Sequence, residues 1–364
     1  MRRLVGIGMA VVAMGALGAC TPEVPATTTV PGSSTTSTTS TTTSSTTSST
    51  TSSTTTTVRP TTTTTSTTTS TTTTSTTTTT IPATGPAVIA SVPVGVNPAG
   101  ITSDGTYLWV TNEFQASVSK INPATNAVVG TYPVGSYPYD IAFDGSSIWV
   151  ANYGVNNLSK INPATGAVTA TVAVGSGPIG IAFDGTSMWV SNTNGNTLSK
   201  VNPTTNSVVA TVPVGVKPYG VAFDGTSIWT ANFGADTVSK VNPTTATVTA
   251  TVTVGSQPID VGVAGSNVWV ANFASGTVSK VNTSTNAVTA TVTVGTSPSG
   301  IAYDGTNVWV TNYGSLSVSK VNASTNAVAA TIIVGKQPYQ ALYSAGSVWV
   351  TNYASATVSR IRPA

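Results

Sequence analysis

The chain has 364 residues, thirteen basic and ten acidic side chains, no histidine and a single cysteine. Lacking His and a second Cys, it has no imidazole base, no imidazole metal ligand and no internal disulfide. Only 6% of its residues are charged and the net charge is +3, which excludes a clustered basic surface for nucleic acid.

Met1-Arg2-Arg3 and the apolar run that follows (residues 1–19 together) read as a secretory signal peptide, too short to span a bilayer comfortably. The run ends in Leu17-Gly18-Ala19-Cys20, which resembles the lipobox of bacterial lipoproteins. That resemblance implies that Cys20 is lipidated and begins the mature chain. The expected location is the cell envelope, outside the cytoplasmic membrane, with the membrane as partner through the lipid anchor. Residues 20–85 are nearly all Ser and Thr with scattered Pro. With almost nothing apolar to bury, such a tract reads as a disordered stalk. Fully stretched, it could reach on the order of 200 Å.

Residues 86–364 repeat with a period of forty. Trp109, Trp149, Trp189, Trp229, Trp269, Trp309 and Trp349 keep this beat, and Asn follows each Trp by three. A period near forty, rich in Val, Thr and aromatic residues, predicts propeller blades. The second unit reads as four strands over 139–143, 148–152, 158–162 and 167–174. Asp144-Gly145 makes the first hairpin turn, and Asn162-Pro163 opens the turn before the fourth strand. The last unit stops before its fourth strand, while 87–94 carries that strand's pattern. The reading is therefore all-β: a seven-bladed β-propeller whose ring is closed by the N-terminal strand.

Trp on every second strand, unchanged from blade to blade, reads as a structural spine. The third strands carry Lys120, Lys160, Lys200, Lys240, Lys280, Lys320 and Arg360 in one register. These are expected to lay their stems on the outer wall with the charged heads in water.

Trp-Val-Thr-Asn at 109–112, 309–312 and 349–352, followed in the first two by Val-Ser-Lys-Ile/Val-Asn, resembles the YVTN family of β-propeller repeats. That family occurs in secreted and cell-surface proteins of bacteria and archaea, so the resemblance implies a surface location without naming a function. Ile-Ala-Phe-Asp-Gly-Ser-Ser-Ile-Trp at 141–149 is also similar to the propeller of streptogramin (virginiamycin B) lyases. Those enzymes imply a catalytic His with a divalent metal, and this chain has no His.

The units differ most in two sets of loops on one face. Near the expected channel mouth stand Tyr137, Tyr139, Asp140, Lys217, Tyr219, Asp260, Lys336, Tyr339 and Gln340. Farther out are Glu113, Phe114, Gln115, Asn156, Asn194, Asn196 and Asp236. Varied loops on a rigid repeat scaffold are where recognition is usually placed, and Tyr with amide and carboxyl groups suits a glycan or a protein partner. The expectation is a monomeric binding module that is not an enzyme, with no metal or cofactor. The alternatives are a propeller enzyme using Asp140 or Asp260 with a nearby Tyr, and a purely architectural surface protein.

Overall fold

The computed structural model describes residues 85–363; the signal peptide, Cys20 and nearly all of the Ser/Thr tract lie outside the described residues. The described residues form seven four-stranded antiparallel sheets. In the second blade the innermost strand is Pro138–Phe143, followed outward by Ile148–Asn152, Asn157–Ile161 and Val168–Ala173. The two middle strands are buried almost throughout, whereas the outermost strand is mostly exposed. Gly105, Gly145, Gly185, Gly225 and Gly305 hold φ between 89° and 96° in the Asp-Gly turns. In each, the Asp Oδ1 accepts from amides two and three residues on, as Asp144 does from Ser146 and Ser147.

The N-terminal strand Ala87–Pro93 pairs antiparallel with Thr357–Arg362 and supplies the outermost strand of the seventh blade. The chain is thus a seven-bladed β-propeller closed by its own N-terminal strand.

All seven Trp side chains are fully buried, and Trp109, Trp149, Trp189, Trp229, Trp309 and Trp349 each pack in an apolar cluster shared by their own blade and the next. Trp149 packs on Leu158 and Val172 of its own blade and on Ile181, Met188, Val190 and Val201 of the third. Five indoles donate Nε1–H to the Asp of their own Asp-Gly turn at 2.7–2.8 Å. Trp349 donates to the Ser344 carbonyl, and Trp269, whose blade has no such Asp, leaves Nε1–H without a partner.

The third-strand cations do not reach for water. Each lies over the Trp of its own blade, 5.0–5.5 Å from the ring centroid. Each then donates to a turn carbonyl of the following blade, as Lys120 Nζ does to Pro163 O at 2.7 Å. Arg360 completes the circuit by donating to Pro123 O of the first blade at 2.9 Å. An ammonium on a π-face that also satisfies a carbonyl is held in place rather than solvated, so this register clasps neighbouring blades together.

The Asn three residues after Trp fixes the loop of its own blade. Asn112 accepts from the Gly95 amide at 3.0 Å and donates to Ser117 and Ser119 hydroxyls. The chain passes so close that a Cβ on Gly175 would stand 2.5 Å from Asn192 Cγ. That contact explains why glycine returns there every forty residues.

Candidate functional site

One pole of the ring is built from the two varied sets of loops, which bond to each other. The amide after each Trp-x-x-Asn donates to the turn leading into its innermost strand, as Tyr153 N does to Tyr137 O at 2.9 Å and Phe233 N to Lys217 O at 2.9 Å. The turn residues Asn97, Tyr137, Gly177, Lys217, Gln257, Ser297 and Gln337 all adopt left-handed backbone, φ between 51° and 66°. On the opposite rim the comparable left-handed positions are Asn126, Gly166, Asn206, Ala246, Asn286 and Asn326. Gly and Asn accept this conformation readily, whereas a bulky residue is an outlier there, at about 1–2 kcal/mol each. The pole therefore holds Tyr, Lys and Gln side chains at an energetic cost that the opposite rim mostly avoids.

At the axis, the third residue of each innermost strand is in turn Gly100, Asp140, Gly180, Gly220, Asp260, Gly300 and Gln340. The glycines preceding the polar residues make room for them. A Cβ on Gly100 would lie 2.8 Å from Asp140 Oδ1, one on Gly220 2.5 Å from Asp260 Oδ1, and one on Gly300 2.4 Å from Gln340 Oε1. Asp140 accepts from the Ile141 and Ile181 amides at 2.8 and 3.1 Å, and Asp260 from the Ile301 amide at 2.9 Å. Each carboxylate is thereby pinned to the wall of the following blade. Around them, with Tyr139, Tyr219 and Tyr339, is a cavity of about 20 Å³, enough for one water or a small cationic head and too small for a sugar ring.

An aromatic ring surrounds this centre. Tyr339 is its hub, with centroids 5.8 Å from Tyr139, 6.5 Å from Tyr313 and 6.1 Å from Tyr353. Phe273 continues it from Tyr313, and Tyr219 stacks on Phe233 at 5.1 Å. Set into this ring is Glu113, only 2% exposed, whose Oε2 accepts from the Tyr353 hydroxyl at 2.7 Å. Outside it, the loops of the fourth and fifth blades flank a groove of about 410 Å³ bordered by Lys217, Phe233, Asp236 and Gln257. Phe114, half exposed, meets Tyr137 edge-on at the rim.

Burial pushes the Glu113 carboxyl up to about 7, against the opposing Tyr353 hydrogen bond. Burial pushes Asp140 up to about 6 despite the Ile141 and Ile181 amides. Asp260 rises to about 7, through burial first and then the Asp140 charge. Desolvation, with the Glu113 charge added, raises Tyr219 and Tyr313 to about 12. The turn carboxyls behave oppositely. Burial pushes up on Asp144, Asp184, Asp224 and Asp304, but the indole and amide donors outweigh it and hold all four below the ordinary range.

The sign of the pH dependence follows. Between about pH 4 and pH 7 the folded chain keeps protons on Glu113, Asp140 and Asp260 that the unfolded chain has lost, so stability falls as pH rises. The slope approaches 1.4 kcal/mol per pH unit for each group, on the order-of-magnitude conversion. The turn carboxylates contribute stability above about pH 4 that is lost as pH falls through their depressed values. The melting temperature should therefore peak near pH 4–5 and decline toward pH 8, and Asp140→Asn should lessen the decline. Thermal unfolding across pH 3–9 checks this; a curve rising from pH 5 to pH 8 would contradict it.

Six of the nine residues expected at the mouth converge on the axis: Tyr139, Asp140, Tyr219, Asp260, Tyr339 and Gln340. Tyr137, Lys217 and Lys336 stand on the rim above, the two lysines exposed. The three axial Tyr rings are 5%, 7% and 9% exposed and face one another or neighbouring aromatics, so they do not offer open faces for sugar stacking. Glu113, expected farther out, is buried against the axial phenols. Tyr313, Tyr353, Phe233 and Phe273 lie outside the set expected from the sequence, although the position after the Asn is aromatic in five of seven units. Among the described residues no three His, Cys, Asp or Glu side chains group to hold a metal ion.

No family model matches the chain, and no curated protein does. Solved structures do. The chain is similar to Kuenenia stuttgartiensis hydrazine synthase, at 19% identity and TM-score 0.67 over 74% of this chain and 96% of that one. It is similar to virginiamycin B lyase from Staphylococcus aureus, at 14% identity and TM-score 0.66 over 75% and 98%. A streptogramin B lyase matches at 14% identity and TM-score 0.65 over 75% and 96%. At these identities the likeness shows the propeller fold alone. It does overturn one expectation. The sequence, lacking His, points to a non-enzyme, yet the solved propellers that this chain resembles are named as enzymes, so that expectation is withdrawn.

Proposed function

We propose that the chain is a cell-envelope lipoprotein whose propeller, carried on a Ser/Thr stalk from a lipid on Cys20, recognises a partner noncovalently through the varied pole. The lipobox-like ending at Cys20 and the resemblance to YVTN repeats support the envelope location. One observation carries the recognition reading: Tyr137, Lys217, Gln257 and Gln337 occupy left-handed backbone positions on this pole, where the opposite rim has mostly Asn and Gly. Residues held in costly conformations cluster at functional sites. The closed aromatic centre and the exposed Phe114, Lys217 and Lys336 favour a surface protein over a glycan.

The test is cosedimentation of the full chain with envelope fragments, before and after protease treatment of the fragments. Saturable binding that protease abolishes, and that Phe114→Ser with Lys217→Ser weakens while Thr204→Ala on the opposite rim does not, is the expected result. Binding that survives protease would transfer the role to a glycan. Absent binding, or binding indifferent to the pole, would overturn the reading.

A second reading is favoured by Glu113 and Asp260, both carboxyls poised near neutral pH beside phenols. Groups so placed are suited to proton transfer at pH 7, and turnover of an envelope substrate lost in Glu113→Gln or Asp260→Asn would identify a propeller enzyme.

A further inference from the structure

We infer that the groove between the fourth and fifth blades binds a small zwitterion, an amino acid or dipeptide that carries an ammonium and a carboxylate on an apolar body. The inference goes beyond recognition of a protein partner and does not depend on one. The groove has a volume of about 410 Å³, against about 20 Å³ at the axis, so a molecule of several heavy atoms can enter it. Lining it are Val216 and Lys217 of the turn into the fourth blade, Phe233 and Asp236 of that blade's loop, and Ser256 and Gln257 of the turn into the fifth.

Two charges set this groove apart from the other blade junctions. Of the seven left-handed turn positions that lead into the innermost strands, only Lys217 is charged. Of the seven left-handed positions that close the loops after the second strands, only Asp236 is charged; the others are Ala, Asn, Gly and Leu. The one cation of the first set and the one anion of the second therefore line the same groove. Among the described residues they form no ion pair, and no hydrogen bond or ring contact engages the Lys217 ammonium. The fold needs neither charge. Asp236 Oδ1 accepts from the Gln257 amide at 2.8 Å, the bond that Asn156 makes to the Gly177 amide and Asn196 to the Lys217 amide at the same distance. An Asn serves as well there, so the carboxylate adds only charge and an Oδ2 with no hydrogen-bond partner. Lys217 holds φ at 51°, where Gly and Asn are favoured and where the first blade has Asn97.

The pair of charges selects the ligand. An anion alone would meet Asp236 as well as Lys217, and a cation alone would meet Lys217 as well as Asp236. A ligand with one charge of each sign satisfies both, its carboxylate accepting from the Lys217 ammonium and its ammonium donating to Asp236 Oδ2. Val216, 48% exposed, offers the apolar contact between them. It lies so close to the loop that a Cβ on Gly234 would stand 2.8 Å from its Cγ1. The Gln257 side-chain amide has no hydrogen-bond partner in the chain and can donate to and accept from a peptide group.

Ligand-observed saturation-transfer NMR of the full chain tests this with leucine and glycyl-leucine. Beside them stand N-acetylleucine, which lacks the ammonium, and leucinamide, which lacks the carboxylate. Saturable binding of a zwitterion in about the millimolar range is expected, with each singly charged analogue weaker by about fivefold, the strength of one exposed ion pair. Whichever of leucine and glycyl-leucine binds more tightly distinguishes an amino acid from a dipeptide, and either supports the site. Lys217→Asn, which places the first blade's residue in a backbone that suits it, should weaken leucine and leave leucinamide unchanged. Asp236→Asn, which keeps the bond to the Gln257 amide, should weaken leucine and leave N-acetylleucine unchanged. No saturation by either zwitterion up to about 50 mM would overturn the inference. So would equal binding of all four compounds, or variants in which leucine and its analogues weaken alike.

Discussion

Removal of Ala87–Pro93 is expected to open the ring and lower the melting temperature by about 10 °C or more. This strand contributes six paired residues against Thr357–Arg362, from Ala87 opposite Arg362 to Pro93 opposite Thr357. Its Val92 is buried in a cluster that joins the last blade to the first, with Ile101, Leu108, Val110, Trp349 and Val358. Losing one buried Val side chain costs about 1.5–3 kcal/mol, and each net backbone hydrogen bond about 0.5–1.5 kcal/mol. The loss is thus on the order of 5 kcal/mol, comparable with the whole stability of an ordinary domain. For a domain of this length about 1 kcal/mol corresponds to 2–4 °C. A synthetic peptide with the sequence of residues 86–94, added in trans, should restore part of the loss by pairing with the vacated edge. Differential scanning calorimetry of the shortened chain, alone and with the peptide, decides the matter. A melting temperature within about 2 °C of the intact protein would show that closure contributes little.

Trp149→Ala is expected to destabilise the protein by about 3–5 kcal/mol, the range for truncating a buried Trp. The side chain fills the gap between two blades, receives Lys160 on its face at 5.1 Å, and donates to Asp144 at 2.7 Å. Comparison with Trp269 separates these contributions. Trp269 has the same burial and the same stacked cation, Lys280 at 5.4 Å, but its Nε1–H has no acceptor. Trp149→Phe removes a hydrogen bond to a charged acceptor, whereas Trp269→Phe removes a buried donor that nothing satisfies. Trp149→Phe should therefore cost about 1–3 kcal/mol more than Trp269→Phe. Urea denaturation of the two variants measures the difference, and equal losses would mean that the indole–carboxylate bonds do not stabilise the blades.

The fold is legible because a forty-residue period returns the same Trp and the same Asn to the same two buried positions of every blade. Trp149 and its six equivalents announced the wedge, and the truncated last unit together with 87–94 announced the closure. The blade clasp was not legible. A Lys on a strand reads as a solvated cation, and only the packed ring shows that its head meets a carbonyl forty-three residues on. The candidate site was half legible. Variation among units picks out one pole and gathers Tyr139, Asp140, Tyr219, Asp260, Tyr339 and Gln340, all of which line the axial cavity. What the sequence concealed was how tightly the seven innermost strands converge. That convergence buries the three Tyr rings, turns Gly100, Gly220 and Gly300 into spaces for their neighbours' polar side chains, and draws Glu113 out of solvent. A lone Glu after a strand reads as an exposed loop residue. The aromatic residues at the equivalent position of five other units were the available sign that this position faces inward.

Hydrogen–deuterium exchange of the full chain, with and without saturating envelope fragments, decides whether the varied pole is the recognition surface. Slowed exchange is expected in 113–116, 136–137, 216–217 and 256–257, the loops of the varied pole, with the turns at 104–106, 144–146 and 163–166 unchanged. Protection confined to those opposite turns, or spread evenly around the ring, would contradict it.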